Sequence, residues 1–152
     1  MKEYEKYMIG RSLIVSAFPG TGKSYYCNIQ QEYVPEGFSC DSDSSKFDKS
    51  NFPENYIAHI KEQVVKGIGR IMVSSHKDVR DALIVNQLPF VLVYPDISLK
   101  HEYINRYIER GNTNSFIELL NANWEKWINE CEGQPHCLRI KLNSGQFLGN
   151  VL

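Results

Sequence analysis

Residues 13–31 constrain this chain more than any other stretch. Leu13-Ile14-Val15 is an apolar run of strand length, Ala17-Phe18-Pro19-Gly20-Thr21-Gly22-Lys23-Ser24 is a glycine-containing turn, and Ser24 to Gln31 is helix-compatible. Strand, tight turn and helix in that order is the context that a phosphate-binding loop requires. Gly20 and Gly22 lack a Cβ, so the backbone can curl until its N–H groups converge on an anion. The following helix adds its positive N-terminal end. Lys23 is placed to reach the β- and γ-phosphates and the Ser24 hydroxyl to hold a magnesium ion, with Pro19, Gly20, Thr21, Gly22 and Tyr25 completing the phosphate-binding set. The usual pattern opens with Gly, and here that position is Ala17. Ala costs little there at negative φ and strains the loop at positive φ. An ordinary Gly-rich turn is the alternative, and Gly-Lys-Ser between strand and helix speaks against it. The stretch predicts binding of a nucleoside triphosphate.

At 152 residues the chain reads as one domain, 1–152, with room for a single three-layer core. The formal net charge of −1, with Lys and Arg scattered among acids, gives no basic field for nucleic acid. No apolar stretch approaches the roughly 20 residues needed to span a bilayer. The charged start Met1-Lys2-Glu3-Tyr4-Glu5-Lys6 does not read as a signal peptide. A cytoplasmic protein, monomeric or homodimeric, is expected. Cys27, Cys40, Cys131 and Cys137 are expected to be free thiols in such a compartment. Cys131 and Cys137, even with His136, lack the second ligand pair of a zinc site.

Strand-length apolar runs alternate with helical patterns, which predicts a parallel α/β fold buried on both sheet faces. Strands are expected at Ser12–Ser16, around Phe38–Cys40, at Arg70–Val73, Phe90–Tyr94 and Cys137–Leu142. Tyr56, Ile57, Ile60, Val64 and Val65 mark an amphipathic helix over Glu54–Lys66, opened by Pro53 and ended by Gly67. Further helices are expected at Lys77–Gln87, Leu99–Arg110 and Asn114–Cys131. Trp124 and Trp127 share a face of the last with Phe116, Leu120 and Ile128, and helical phase favours a core stripe over a base-stacking platform.

Asp41 and Asp43 lie 18 and 20 residues beyond Lys23, after the second strand. Carboxyl ends of parallel strands line the ligand crevice. Two residues apart, both acids face one side. One can orient a water on magnesium while the other takes a proton from an attacking oxygen; a polar strand-to-helix connection with a capping Asp is the bland alternative. The third strand ends in Ser74-Ser75-His76, without the strand-terminal Asp of motor-type ATPases.

With the loop from Ala17 to Ser24, Asp41-Ser42-Asp43 and a later arginine-bearing helix, the chain resembles the nucleoside monophosphate kinase-like branch of P-loop kinases. Its size is similar to that of small phage nucleotide kinases, and its Asp-x-Asp spacing to that of shikimate kinase. The resemblance implies a three-layer P-loop fold with a five-stranded parallel sheet ordered 2-3-1-4-5, and a flexible helical lid between strands 4 and 5, about 96–133. In that lid Arg106 and Arg110 share a helix face, where they either grip phosphates or form surface pairs with Glu102 and Glu109. The resemblance further implies ATP and magnesium as cofactors, with Ser24 and Asp41 at the metal. It implies Lys23, Asp41, Asp43, Arg106 and Arg110 in catalysis, His76 and Arg80 at the acceptor, and Asn143-Ser144-Gly145-Gln146-Phe147 beside the adenine. The expected activity is transfer of the ATP γ-phosphoryl to a nucleotide or nucleoside. A small-metabolite hydroxyl, a polynucleotide 5′ end and a non-catalytic nucleotide-binding regulator are the alternatives.

Overall fold

The central strands carry apolar residues at successive positions, so each must bury both of its faces. The computed structural model, which describes residues 2–33, 38–39 and 47–152, meets this demand with a parallel sheet between two helical layers. Strands β1 (Leu13–Ala17), β2 (Phe38–Ser39), β3 (Arg70–Ser74), β4 (Val91–Pro95) and β5 (Leu138–Leu142) lie in the order β2-β3-β1-β4-β5. Every pairing is parallel. Four strands have five residues each. Of the strand expected around 38–40, Phe38–Ser39 form the described edge strand, and Cys40 lies outside the described residues.

Helices α1 (Lys23–Tyr33), α2 (Glu54–Val65), α3 (Lys77–Val85), α4 (Lys100–Glu109), α5 (Asn114–Glu132) and α6 (Leu148–Val151) cover the sheet. Alternation along the strands divides the core into two layers. Ile14, Ile71, Val73, Leu92 and Tyr94 face one side, packing with Tyr56, Ile60, Val79, Leu83, Tyr103, Tyr107 and Trp124 from α2 to α5. Leu13, Val15, Ala17, Met72, Val91 and Val93 face the other, against Tyr26 and Cys27 of α1 and Leu148 of α6.

Three local differences from the sequence reading have physical causes. Helix α3 stops two residues before Gln87, because Gln87 itself adopts the left-handed conformation (φ 56°) that ends a helix. The Leu88 N–H then closes on the Leu83 carbonyl at 2.9 Å. Cys27 is disulfide-bonded rather than the free thiol expected, its sulfur in a 1% exposed position on the inner face of α1; Cys131 and Cys137 are free.

The third difference concerns residues 96–133. Tyr103, Tyr107 and Trp124 are essentially inaccessible. The Trp124 indole stands edge-on to Phe18, with centroids 5.6 Å apart, and its Nε1 donates to the Ile97 carbonyl at 2.8 Å. Hinging α4 and α5 away would expose three large aromatic side chains, each worth about 1.5–3 kcal/mol or more of burial. In this structure these helices are packed into the core rather than standing apart from it. No helix among the described residues is long and apolar enough to cross a membrane.

Candidate phosphate-binding site

Because the sheet is parallel, the segments after β1, β3, β4 and β5 all leave from one edge. Register fixes their neighbourhood: Ala17 pairs with Ser74 on one side and Val93 on the other, and Pro95 with Leu142. The loop at 17–24 therefore occupies the middle of that edge. Ser74–His76 lie to one side and the 143–147 segment to the other.

The loop is curled through its two glycines, Gly20 at φ 90° and Gly22 at φ 88°. Both conformations are open to Gly and strained for other residues. Ala17 is not among the positive-φ residues. It ends β1 with its methyl buried in the α1 layer, so the missing first Gly brings no strain.

Four successive carbonyls of the loop are held by donors from the protein. The Thr21 hydroxyl donates to the Phe18 carbonyl at 2.8 Å, and the Tyr107 hydroxyl to the Pro19 carbonyl at 2.8 Å. Arg106 donates to the Gly20 carbonyl at 2.8 Å, and the Leu148 N–H to the Thr21 carbonyl at 3.0 Å. A trans peptide points its N–H opposite its C=O. Tying the carbonyls of Pro19, Gly20 and Thr21 to the body thus turns the amides of Gly20, Thr21 and Gly22 the other way. The Thr21 amide is partly engaged in a 3.3 Å turn bond to Phe18, so Gly20 and Gly22 hold the pair of amides with the geometry to meet an anion. Lys23 and Ser24 open α1 directly behind them, Ser24 and Tyr25 on the exposed side.

The aromatic wall behind the loop explains the glycines a second time. A Cβ on Gly20 would lie 2.8 Å from the Tyr107 ring and 3.0 Å from that of Tyr103, and one on Gly22 would lie 2.9 Å from Phe147. Burial pushes both phenols up, Tyr103 to about 12, so both stay neutral at ordinary pH and Tyr107 keeps the proton that it donates to Pro19.

Arg106 fits neither expectation for it cleanly. It does pair with Glu102 one turn away at 3.0 Å, but its side chain is only 11% exposed. The guanidinium is sandwiched 4.2 Å from the Tyr103 centroid and 3.9 Å from that of Phe147. Besides Gly20 it reaches the Gln146 carbonyl at 3.2 Å. Arg110, at the end of α4, is exposed.

Glu102, expected only as a surface partner of the helix's arginines, joins α4 to the turn after β5. Its carboxylate accepts from the Ser144 hydroxyl at 2.5 Å, the Gly145 N–H at 3.2 Å and Arg106. The Ser144 bond, the Gly145 amide and the Arg106 charge together hold its pKa below the usual glutamate value. The i, i+4 spacing of Glu102 and Arg106 is the one sequence signal that pointed to it. For Tyr103 and Tyr107 the sequence offers only the i, i+4 spacing that puts them on one helix face.

The two acceptor candidates separate. His76 is exposed at the start of α3. Arg80 is 3% exposed, donates to the Ser75 carbonyl at 2.9 Å and to Gln134 Oε1, and lies 3.8 Å from the Glu130 carboxylate. Those contacts tie α3 to the end of α5. Asp41 and Asp43 lie outside the described residues.

The fold is shared with a gluconokinase. A crystal structure of that enzyme from Sinorhizobium meliloti 1021 superimposes with a TM-score of 0.52 at 16% identity, covering 92% of this chain and 86% of that one. No family model matches the sequence, and no curated protein matches it. The likeness is one of architecture.

Proposed function

We propose that this chain is a P-loop kinase that moves the γ-phosphoryl group of ATP to a small-molecule acceptor. One observation carries the reading: a loop of P-loop sequence whose carbonyls from Phe18 to Thr21 are tied to the protein, with the amides of Gly20 and Gly22 turned to the other side at the head of α1. Such an arrangement serves an anion of several charges. The donor set also fits magnesium, because the exposed Ser24 hydroxyl opens the helix beside the amides. Magnesium held there would neutralise charge on the β- and γ-phosphates.

In this reading Pro19 to Tyr25 wrap the triphosphate, and Lys23 stabilises the charge on the transferred group. Asp41 or Asp43 takes the acceptor proton as the acceptor oxygen bonds to the γ-phosphorus and the bond to the β–γ bridging oxygen breaks. His76 faces the acceptor. Arg106 acts from behind the loop; Arg110, exposed at the end of the same helix, is the arginine left to meet phosphates from solvent. Arg80, wrapped by Ser75, Glu130 and Gln134, sets the position of α3 rather than touching the acceptor.

The acceptor is proposed to be a nucleotide or nucleoside. A sugar-acid hydroxyl is the second reading, favoured by the architecture shared over 86% of a gluconokinase. Coupled detection of ADP formation, with nucleoside monophosphates, nucleosides and sugar acids offered in turn, tests both. Turnover on a nucleotide supports the first and turnover on a sugar acid the second. ATP binding without turnover on any acceptor would leave a nucleotide-binding regulator.

A further inference from the structure

Glu102 lies on α4, bonded to the turn after β5 and to Arg106, which in turn reaches the loop, and neither the loop sequence nor the shared fold assigns it a role. We propose that Glu102 is a positioning residue that sets the phosphate loop and the 143–147 segment as one unit, acting on the loop through Arg106. The inference rests on the nucleotide-site reading above.

The contacts form an unbroken path. On one side the carboxylate accepts from Ser144 Oγ and Gly145 N–H at 2.5 and 3.2 Å, which fixes the turn after β5. On the other it holds one nitrogen of Arg106 at 3.0 Å. That same nitrogen donates to the Gln146 carbonyl, while the second terminal nitrogen donates to the Gly20 carbonyl at 2.8 Å. A guanidinium is planar, so fixing one edge fixes the other. The Tyr103 and Phe147 rings on its two faces leave it little freedom to tilt. Phe147 also reaches the position where a Gly22 side chain would begin. A shift of the 143–147 turn is therefore transmitted to both glycines of the loop, through Arg106 to Gly20 and through Phe147 to Gly22.

Two ligands separate this role from simple support of one turn. Magnesium with ADP engages the loop and whatever lies beside the base. Magnesium with inorganic tripolyphosphate engages the loop alone. Calorimetric titration of the wild-type chain is expected to show binding of both. Glu102→Ala is expected to weaken tripolyphosphate on the order of tenfold, the scale of one charge-assisted hydrogen bond, and ADP at least as much. Because the carboxylate acts through the guanidinium, the Glu102→Ala, Arg106→Lys double variant is expected to lose no more tripolyphosphate affinity than Arg106→Lys alone. Ser144→Ala removes a partner at the surface without touching the core, so it covers the case in which Glu102→Ala does not fold. It is expected to weaken tripolyphosphate as well, by a few-fold. Unchanged tripolyphosphate binding in Glu102→Ala, or in Ser144→Ala where the first does not fold, overturns the proposal and leaves Glu102 as a prop for one turn. Additive losses in the double variant overturn it too. A wild-type chain that binds neither ligand overturns the nucleotide site itself, and this inference with it.

Discussion

Arg80 and Arg106 make an instructive pair. Each is nearly withdrawn from water, at 3% and 11% side-chain exposure, and each reaches backbone carbonyls far along the chain. They differ in what those carbonyls belong to. Arg80 closes a gap between α3 and the end of α5, two elements whose relation the packing must fix. Arg106 lies across the back of a loop whose front is the proposed site. The same chemistry thus gives stability in one region and a shaped backbone in the other. Burial alone does not tell which arginines serve a site.

The largest effect should come from Arg80. Arg80→Met deletes the donors to Ser75 and Gln134 and leaves the Glu130 carboxylate facing a shortened contact. Unsatisfied buried acceptors cost about 1–3 kcal/mol each, so a loss of about 3 kcal/mol in urea unfolding is expected. The fraction still folded should bind Mg-ATP normally. Loss of nucleotide affinity at unchanged stability would erase the contrast between the two arginines.

Next come the glycines. Gly20→Ala and Gly22→Ala both place a side chain at φ near 90°, a cost of roughly 1–2 kcal/mol. At Gly20 the new methyl also meets Tyr107 and Tyr103, neither of which has room to move. At Gly22 it meets Phe147, which is 39% exposed and can yield toward solvent at the cost of its stacking on Arg106. Gly20→Ala is therefore expected to lower the unfolding free energy by about 1 kcal/mol more than Gly22→Ala, in the range of overpacking costs. Equal losses would mean that the tyrosine wall yields.

Arg106→Lys keeps the charge but removes the planar fork. Stability should fall by about 1 kcal/mol, while Mg-ADP affinity falls about tenfold or more, since one or two charge-assisted bonds to the loop are lost. The smallest effect is expected at Ala17. With ordinary strand geometry there, Ala17→Gly should destabilise by about 0.4–1 kcal/mol through unfolded-state entropy. A gain in stability would show that the methyl strains the loop.

The parts of this molecule that were legible in the sequence are those governed by local chemistry. The loop from Ala17 to Ser24 declares its own turn and helix, and the strand runs at 13–15, 71–73 and 91–94 declare burial on both faces. The orientation of α4 was not legible. Its apolar positions are Tyr103, Ile104, Tyr107 and Ile108, and spacing alone does not rank them. The structure buries both tyrosines and leaves Ile108 58% exposed, because flat rings fill the space left by Gly20 and the Tyr107 hydroxyl finds the Pro19 carbonyl. Once that face turns inward, Arg106 follows it and Arg110 points away, a distinction that i, i+4 spacing does not contain. Arg80 was equally opaque, since its partners Glu130 and Gln134 lie about fifty residues on.

Calorimetric titration of Mg-ATP into the wild-type chain and into Lys23→Ala tests the central claim most directly, because Lys23 is the one cation within 17–24. The account predicts one site per chain in the wild type. It predicts affinity at least a hundredfold weaker in Lys23→Ala, in a chain that still unfolds cooperatively in the absence of nucleotide, as expected for loss of a charged contact to the β- and γ-phosphates. Equal binding by both proteins, or no binding by the wild type, would contradict it.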